Sequence, residues 1–170
     1  ASEPDVSDEA IAKALREFEG IGRRFQLYGE VNFGRGKALL VDDYGHHPTE
    51  IAATLRAARS AWPDRRLVQI FQPHRYTRTR DLMNDFSQAL SEADVLVLLE
   101  IYSAGEQPIS GIDGAALCRM IEKISNNKPI FVSDLNSLPD VLQKTLRNDD
   151  IVILQGAGSV GTMAVTLAQL

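Results

Sequence analysis

Asp42-Asp43-Tyr44-Gly45-His46-His47-Pro48-Thr49-Glu50 and Phe71-Gln72-Pro73-His74-Arg75-Tyr76-Thr77-Arg78-Thr79-Arg80 are the two stretches whose reading decides the fold. Each follows a short apolar run that reads as a buried strand, Ala38 to Val41 in one case and Leu67 to Ile70 in the other, and each runs on into a helical pattern. All three histidines of the chain fall in these two segments. In an open parallel sheet, ligands bind outside the carboxyl ends of the strands. The functional reading therefore starts at these two strand ends.

Outward from them, strand and helix signals alternate. Upstream, Phe25, Leu27 and Val31 alternate with Arg24, Gln26 and Glu30, the pattern of a strand with one solvated face. Asn32 to Gly36 supplies a glycine-rich turn and Lys37 to Asp42 returns, so 23–42 predicts an antiparallel hairpin. Before it, Ile11, Ala14, Leu15 and Phe18 recur at helical steps from Ser7, and Gly20 and Gly22 stop them.

Downstream, Pro48 suits a first helical turn, and Ile51, Leu55, Ala58 and Trp62 form an apolar stripe that Pro63-Asp64 ends. After the strand at 67–71, Thr77 or Thr79 opens a helix carrying Leu82, Phe86, Ala89 and Leu90. Asp94 to Glu100 holds the most apolar strand, Val-Leu-Val-Leu-Leu, which is expected at the centre of the sheet. A loop over 102–113, a helix to about 124, a strand at 129–132, a helix over about 138–146 and a strand at 151–154 follow, and Gly156 to Gly161 turns into a last helix. This alternation predicts an α/β fold with a mostly parallel sheet covered on both faces.

Composition narrows the function classes. At 170 residues the chain suits one domain, with a fragment of a second attached. A net charge of -5 without a basic stripe argues against nucleic acid as a partner. The single cysteine, Cys118, has no internal disulfide partner and reads as a small buried hydrophobe in a reducing compartment. No apolar run approaches the roughly 20 residues of a membrane span, and the start is polar and acidic, so the expected location is cytoplasmic.

Several familiar motifs fail on inspection. Gly36-Lys37 is followed by Ala38 where a P-loop needs Ser or Thr, and Val31 stands where its first glycine would be. Gly156, Gly158 and Gly161 have the spacing of a dinucleotide fingerprint, but that motif needs an acid about 20 residues on, and only nine residues follow Gly161. What remains is turn geometry, or small residues that let a backbone approach an anion at a helix start. His46, His47 and His74 lack the Cys or carboxylate spacing of a metal site, so no metal is assigned to them. His47 suits a core or capping role, whereas His46 and His74 suit donation to an anionic substrate.

Arg75 and Arg78, close to a strand end, present forks that match carboxylate or phosphate oxygens, and Arg80 reads as a solvated helix face. Of Asp42 and Asp43, one is expected to cap the following turn and the other to grip a ribose hydroxyl pair. Glu100, Tyr102 and Glu106 end the next strand and either line the same crevice or belong to a solvated loop.

DDYGHHPTE and FQPHRYTRTRD, supported by LEIYSAGE at 99–106 and QGAGSVG at 155–161, resemble the C-terminal domain of the Mur ligase family over essentially the whole chain. Within that family they are most similar to the member that joins L-alanine to UDP-N-acetylmuramate. The resemblance implies a Rossmann-like three-layer domain over 23–170, with 1–22 as the tail of a central ATPase domain and linker. It also implies an ATP-dependent ligase of peptidoglycan precursor synthesis that activates a sugar carboxylate as an acyl phosphate. Magnesium would be held mainly by the central domain, so the fragment alone is expected to be inactive; its partners would be UDP-N-acetylmuramate, L-alanine, ATP and the other domains.

Carried over by motif position, Arg24, Asp43 and Tyr44 would bind the nucleotide, with Tyr44 also bordering the sugar. His46, His74, Arg75 and Arg78 would hold the amino-acid carboxylate and the acyl phosphate, and Gly158 and Ser159 would close the amino-acid pocket. Two alternatives stay open: a ligase that attaches a murein tripeptide to the same sugar, and a non-catalytic module that uses the sheet as a scaffold.

Overall fold

The computed structural model describes residues 22–34 and 36–169, with the single residues 7, 9 and 13. The helix expected over 7–19 therefore lies almost wholly outside the described residues. Six strands form one sheet: β1 (Gln26–Asn32), β2 (Lys37–Asp43), β3 (Leu67–Phe71), β4 (Val95–Leu99), β5 (Ile130–Val132) and β6 (Ile151–Gln155). Their order is β1-β2-β6-β3-β4-β5. β1 runs antiparallel to β2, and every other pairing is parallel.

The helices are α1 (Pro48–Ala61), α2 (Tyr76–Asp81), α3 (Met83–Leu90), α4 (Gly114–Ile124), α5 (Leu138–Thr145) and α6 (Val160–Leu167), with a 3-10 turn at Leu135–Ser137. Side chains alternate across a strand, and here both faces are apolar because both are covered. Leu39, Val41, Leu67, Phe71, Leu96, Leu98, Ile151 and Ile153 pack against Ile51 and Leu55 of α1, Phe86 and Leu90 of α3, and Leu117 and Ile121 of α4. Leu40, Val68, Ile70, Val97, Leu99, Val152 and Leu154 pack against Leu138 and Leu142 of α5 and Val160, Ala164 and Leu167 of α6. The result is the expected three-layer α/β fold with an antiparallel N-terminal hairpin.

Three local expectations are corrected. β4 is one strand from the edge, and β6 and β3 occupy the centre; an all-apolar run reports cover on both faces, which β4 has, rather than centrality. The simple alternation of β1 breaks between Leu27 and Gly29, where the register shifts and Gly29 adopts φ +90°. This bulge leaves Leu27 52% exposed instead of facing the core. The helix expected to run from Thr77 or Thr79 through Leu90 is two helices, interrupted at Leu82 with φ −114° and ψ 22°.

The parallel pairings place Asp43, Gln155, Phe71 and Leu98 in one row across four strands. The loops that leave this row therefore emerge along one rim, 44–47 from β2, 156–159 from β6, 72–75 from β3 and 100–113 from β4.

Candidate active site at the carboxyl rim of the sheet

The first loop is fixed by a buried carboxylate. Asp43 Oδ1 accepts hydrogen bonds from the Gly45 amide at 2.8 Å, Gln155 Nε2 at 2.7 Å and Thr54 Oγ1 at 3.2 Å, while Oδ2 accepts from the Phe25 amide at 2.9 Å. A carboxylate offers about four acceptor positions; these donors saturate Oδ1 and occupy one position of Oδ2, and the residue is 7% exposed. With three donors on Oδ1 and one on Oδ2, Asp43 is committed to the shape of the loop, and at most one acceptor position on Oδ2 is left for the ribose hydroxyls expected there. Gly45 is required beside it: a Cβ there would sit 2.6 Å from both Asp43 Oδ1 and Gln155 Nε2.

Asp42 is the other half of this construction. It is fully buried and takes Arg23 Nε at 2.9 Å, while Arg23 Nη2 donates to the Gly156 carbonyl at 2.6 Å. Burial holds the Asp42 pKa above the usual carboxylate value despite its arginine partner. Arg23 thus ties the start of the described domain to the glycine loop after β6.

Along the rim, aromatic and imidazole rings follow one another. Tyr44, at the exposed end of the first loop, has the guanidinium carbons of Arg23 and Arg24 at 5.2 and 5.5 Å from its ring centre. Its ring meets His46 edge-on at 5.3 Å, His46 lies 5.7 Å from His74, and His74 stacks on Tyr102 at 5.6 Å with planes 15° apart. Arg78 Nη1 lies 3.4 Å from His74 Nδ1. The structure therefore brings Tyr44, His46, His74, Arg78 and Tyr102 into one contiguous surface, assembled from three loops.

Each member is held by identifiable contacts. His47 is the N-cap of α1, accepting from the Thr49 amide, and Glu50 Oε2 accepts from the amides of both His46 and His47 at 2.8 and 3.0 Å. This is a capping box in which His47 replaces the usual hydroxyl residue. Burial raises the Glu50 pKa, but the His46 and His47 amides outweigh it and leave a net depression. Arg24, exposed, reaches to 3.5 Å from Glu50 Oε1.

In the second loop, His74 bridges to Tyr102: the Arg75 amide donates to the Tyr102 carbonyl at 2.8 Å and the Tyr102 amide donates to the Pro73 carbonyl at 2.8 Å. Arg75 has φ +74°, a conformation rare outside glycine that is concentrated at functional sites. Burial, and next the Arg78 charge, lower the His74 pKa. Glu106, from the loop after β4, accepts from the amide and hydroxyl of Thr77 at 3.0 and 2.6 Å and so caps the start of α2.

The glycine loop completes the rim. Gln72 Oε1 accepts from the Val160 amide at 3.0 Å, and Gln72 Nε2 donates to Ser159 Oγ at 3.2 Å. A Cβ on Gly158 would lie 2.5 Å from Gln72 Oε1 and 2.7 Å from Tyr102 Cγ, so this glycine is a packing requirement. Arg80 points away, exposed and paired with Asp81 at 2.7 Å. Glu100 Oε1 accepts from the amides of Ile101 and Gly114 at 2.8 and 2.9 Å. Among the described residues, no group of three or more His, Cys, Asp or Glu side chains is placed to hold a metal ion, and no described helix is long and apolar enough to cross a membrane.

Sequence reasoning passed over Arg23, Glu50, Thr54, Gln72 and Gln155, which hold this surface in shape. Gln155 and Gln72 carried a signal, since each ends or follows an otherwise apolar buried strand.

A profile of the family described as "Mur ligase, glutamate ligase domain" matches residues 23–158. The chain belongs to that family. Among solved structures, it resembles the UDP-N-acetylmuramate-alanine ligase of Thermotoga maritima, with a TM-score of 0.71 and 26% identity over 94% of this chain and 32% of that one. The murein peptide ligase of Psychrobacter arcticus gives 0.68 and 24% over 94% of this chain and 32% of that one. A bifunctional folylpolyglutamate synthase/dihydrofolate synthase of Yersinia pestis, complexed with AMPPNP and Mn ion, gives 0.64 and 19% over 96% of this chain and 34% of that one. The last two likenesses speak for the fold alone. This Mur ligase domain spans about a third of the length of each.

Proposed function

We propose that the chain is the C-terminal part of an ATP-dependent amide ligase that joins L-alanine to UDP-N-acetylmuramate through an acyl phosphate. The observation that carries this reading is the surface formed by His46, His74 and Arg78, flanked by Arg75 and by the Gly158 loop. His74, Arg75 and Arg78 supply cationic or neutral donors to it, which suits a free amino-acid carboxylate and a phosphorylated acyl group. ATP supplies the phosphoryl group and magnesium its charge neutralisation. The residues of this chain bind and orient, and orientation alone is worth about 7–11 kcal/mol in favourable cases.

In this reading Arg24 and Tyr44 face the nucleotide, with Tyr44 also bordering the sugar. Asp43 acts one step back, holding the loop that carries Tyr44 and His46, with at most one Oδ2 position left for the ribose. Arg75 and Arg78 hold the amino-acid carboxylate, His74 donates to it or to the acyl phosphate, and Gly158 and Ser159 close the pocket. No metal ligand is assigned to this chain.

A murein tripeptide ligase acting on the same sugar is the second reading, since the murein peptide ligase of Psychrobacter arcticus shares this fold and the fold alone does not separate the two. The two differ in the nucleophile. A free amino acid presents its carboxylate next to the amine, where Arg75 and Arg78 would meet it, whereas a tripeptide has an amide there. The parent enzyme is therefore expected to ligate L-alanine to UDP-N-acetylmuramate far faster than L-alanyl-γ-D-glutamyl-diaminopimelate, measured by ADP release. The reverse preference would establish the tripeptide reading, and ADP release with neither would remove both. The isolated chain is expected to show no turnover.

A further inference from the structure

We infer that His46 is the proton acceptor that frees the attacking amine, and that His74, beside it, remains a hydrogen-bond donor. This rests on the ligase reading above and adds to it a division of labour between two imidazoles. The argument begins with tautomers. His46 Nδ1 lies 3.2 Å from the Tyr44 carbonyl oxygen, which only accepts, so Nδ1 carries the hydrogen and Nε2 carries the lone pair. Among the described residues, Nε2 has no partner. His74 is arranged the other way round. Its Nδ1 faces Arg78 Nη1 at 3.4 Å, and a guanidinium only donates, so Nδ1 carries the lone pair and Nε2 the hydrogen. The two rings are 5.7 Å apart, one ending in an acceptor and the other in a donor.

The charged neighbours fit this division. Glu50 of α1 lies 3.9 Å from His46 Nδ1, on the side of the ring that would carry positive charge after proton uptake, and Arg24 shares that carboxylate. Tyr44 lies against the ring edge, and His74 with Arg78 and Arg75 behind it form the opposite wall. His46 thus has the acid Glu50 at its back, whereas around His74 the charges of Arg78 and Arg75 stand against that of Glu106 and the balance disfavours its protonated form. The His46 side chain is 23% exposed, open enough to meet a substrate.

The step balances without another reagent. An ammonium proton passes to His46 Nε2, and the freed amine forms the N–C bond at the acyl carbon. The C–O bond to phosphorus-bound oxygen breaks, its electron pair leaves with phosphate, and phosphate takes the second nitrogen proton as the amide forms. Imidazole is the side chain suited to such transfer near neutral pH, and a positioned base contributes about 100-fold or more.

The test compares nucleophiles in the full-length enzyme. Hydroxylamine is unprotonated at neutral pH, needs no base, and traps the same acyl phosphate as a hydroxamate. His46→Asn is expected to slow L-alanine ligation about 100-fold or more while hydroxamate formation falls several-fold at most. The L-alanine rate of the variant should recover as pH is raised and the free amine accumulates. Equal loss with both nucleophiles, in both His46→Asn and the separately prepared His46→Gln, overturns the assignment and leaves His46 a binding residue. Absence of hydroxamate with the unaltered enzyme would refute the acyl-phosphate reading itself, which is a different result.

Discussion

Asp43 shows how much a residue's part in the molecule depends on the donors around it. An acid at the end of a parallel strand reads as a ribose ligand, and its place in the chain is right for that. Its neighbours give it a structural role as well, because the amides of Phe25 and Gly45 and the side chains of Thr54 and Gln155 come from four separate places to its oxygens. Asp43→Asn turns one acceptor position into a donor facing donors. Leaving a buried polar group unsatisfied costs about 1–3 kcal/mol, so the urea midpoint of the chain is expected to fall accordingly; an unchanged midpoint would contradict the structural role. No pattern in the sequence announces this, since Phe25 and Gln155 are 130 residues apart. His47 was more legible: a polar residue before proline, with Glu50 three positions on, has the arrangement of a capping box whatever the residue's name.

Elements were legible where a strong period coincided with clear stops. The strand Leu67–Phe71 and the helix that begins at Pro48 stand where apolar runs and Pro48, Trp62 and Pro63 put them. The β1 bulge was hidden because Leu27-Tyr28-Gly29 reads equally well as unbroken alternation, and only the pairing with Val41 and Leu40 shows the slip. The break at Leu82 was hidden because Leu82, Phe86, Ala89 and Leu90 keep helical spacing through it. The glycine loop, by contrast, was legible as a loop and not as a site, since Gly158 is explained by Tyr102 and Gln72, which arrive from other strands. Gly158→Ala should therefore act on the neighbouring loop. Overpacking of this kind costs about 1–3 kcal/mol, and the variant is expected to lose stability and displace Tyr102 from the His74 ring, read from the ring-current shifts of the two side chains. An undisturbed stack would show that the contact is slack.

At the scale of the molecule, parallel strands in one register gather four loops at one rim, and this is why residues from 23 to 159 meet there. The sequence placed the candidate residues at strand ends; it did not show that the last strand, β6, lies between β2 and β3 and so brings the Gly158 loop between the two histidine loops. Strand order is a property of long-range packing, which local periodicity does not encode. The rim sets His74, with Arg78 four residues on against its ring, beside His46, and the central claim is that this corner binds the carboxylate of a free amino acid. The most direct measurement is the KM of the full-length enzyme for L-alanine and for L-alaninamide, with and without Arg78→Ala. A charge-assisted hydrogen bond is worth about 1.5–3 kcal/mol, so the unaltered enzyme should favour L-alanine over the amide by about 10- to 100-fold, and Arg78→Ala should erase most of that preference by raising the L-alanine KM alone. An Arg78→Ala enzyme that keeps the original KM for L-alanine and the original preference would contradict the account.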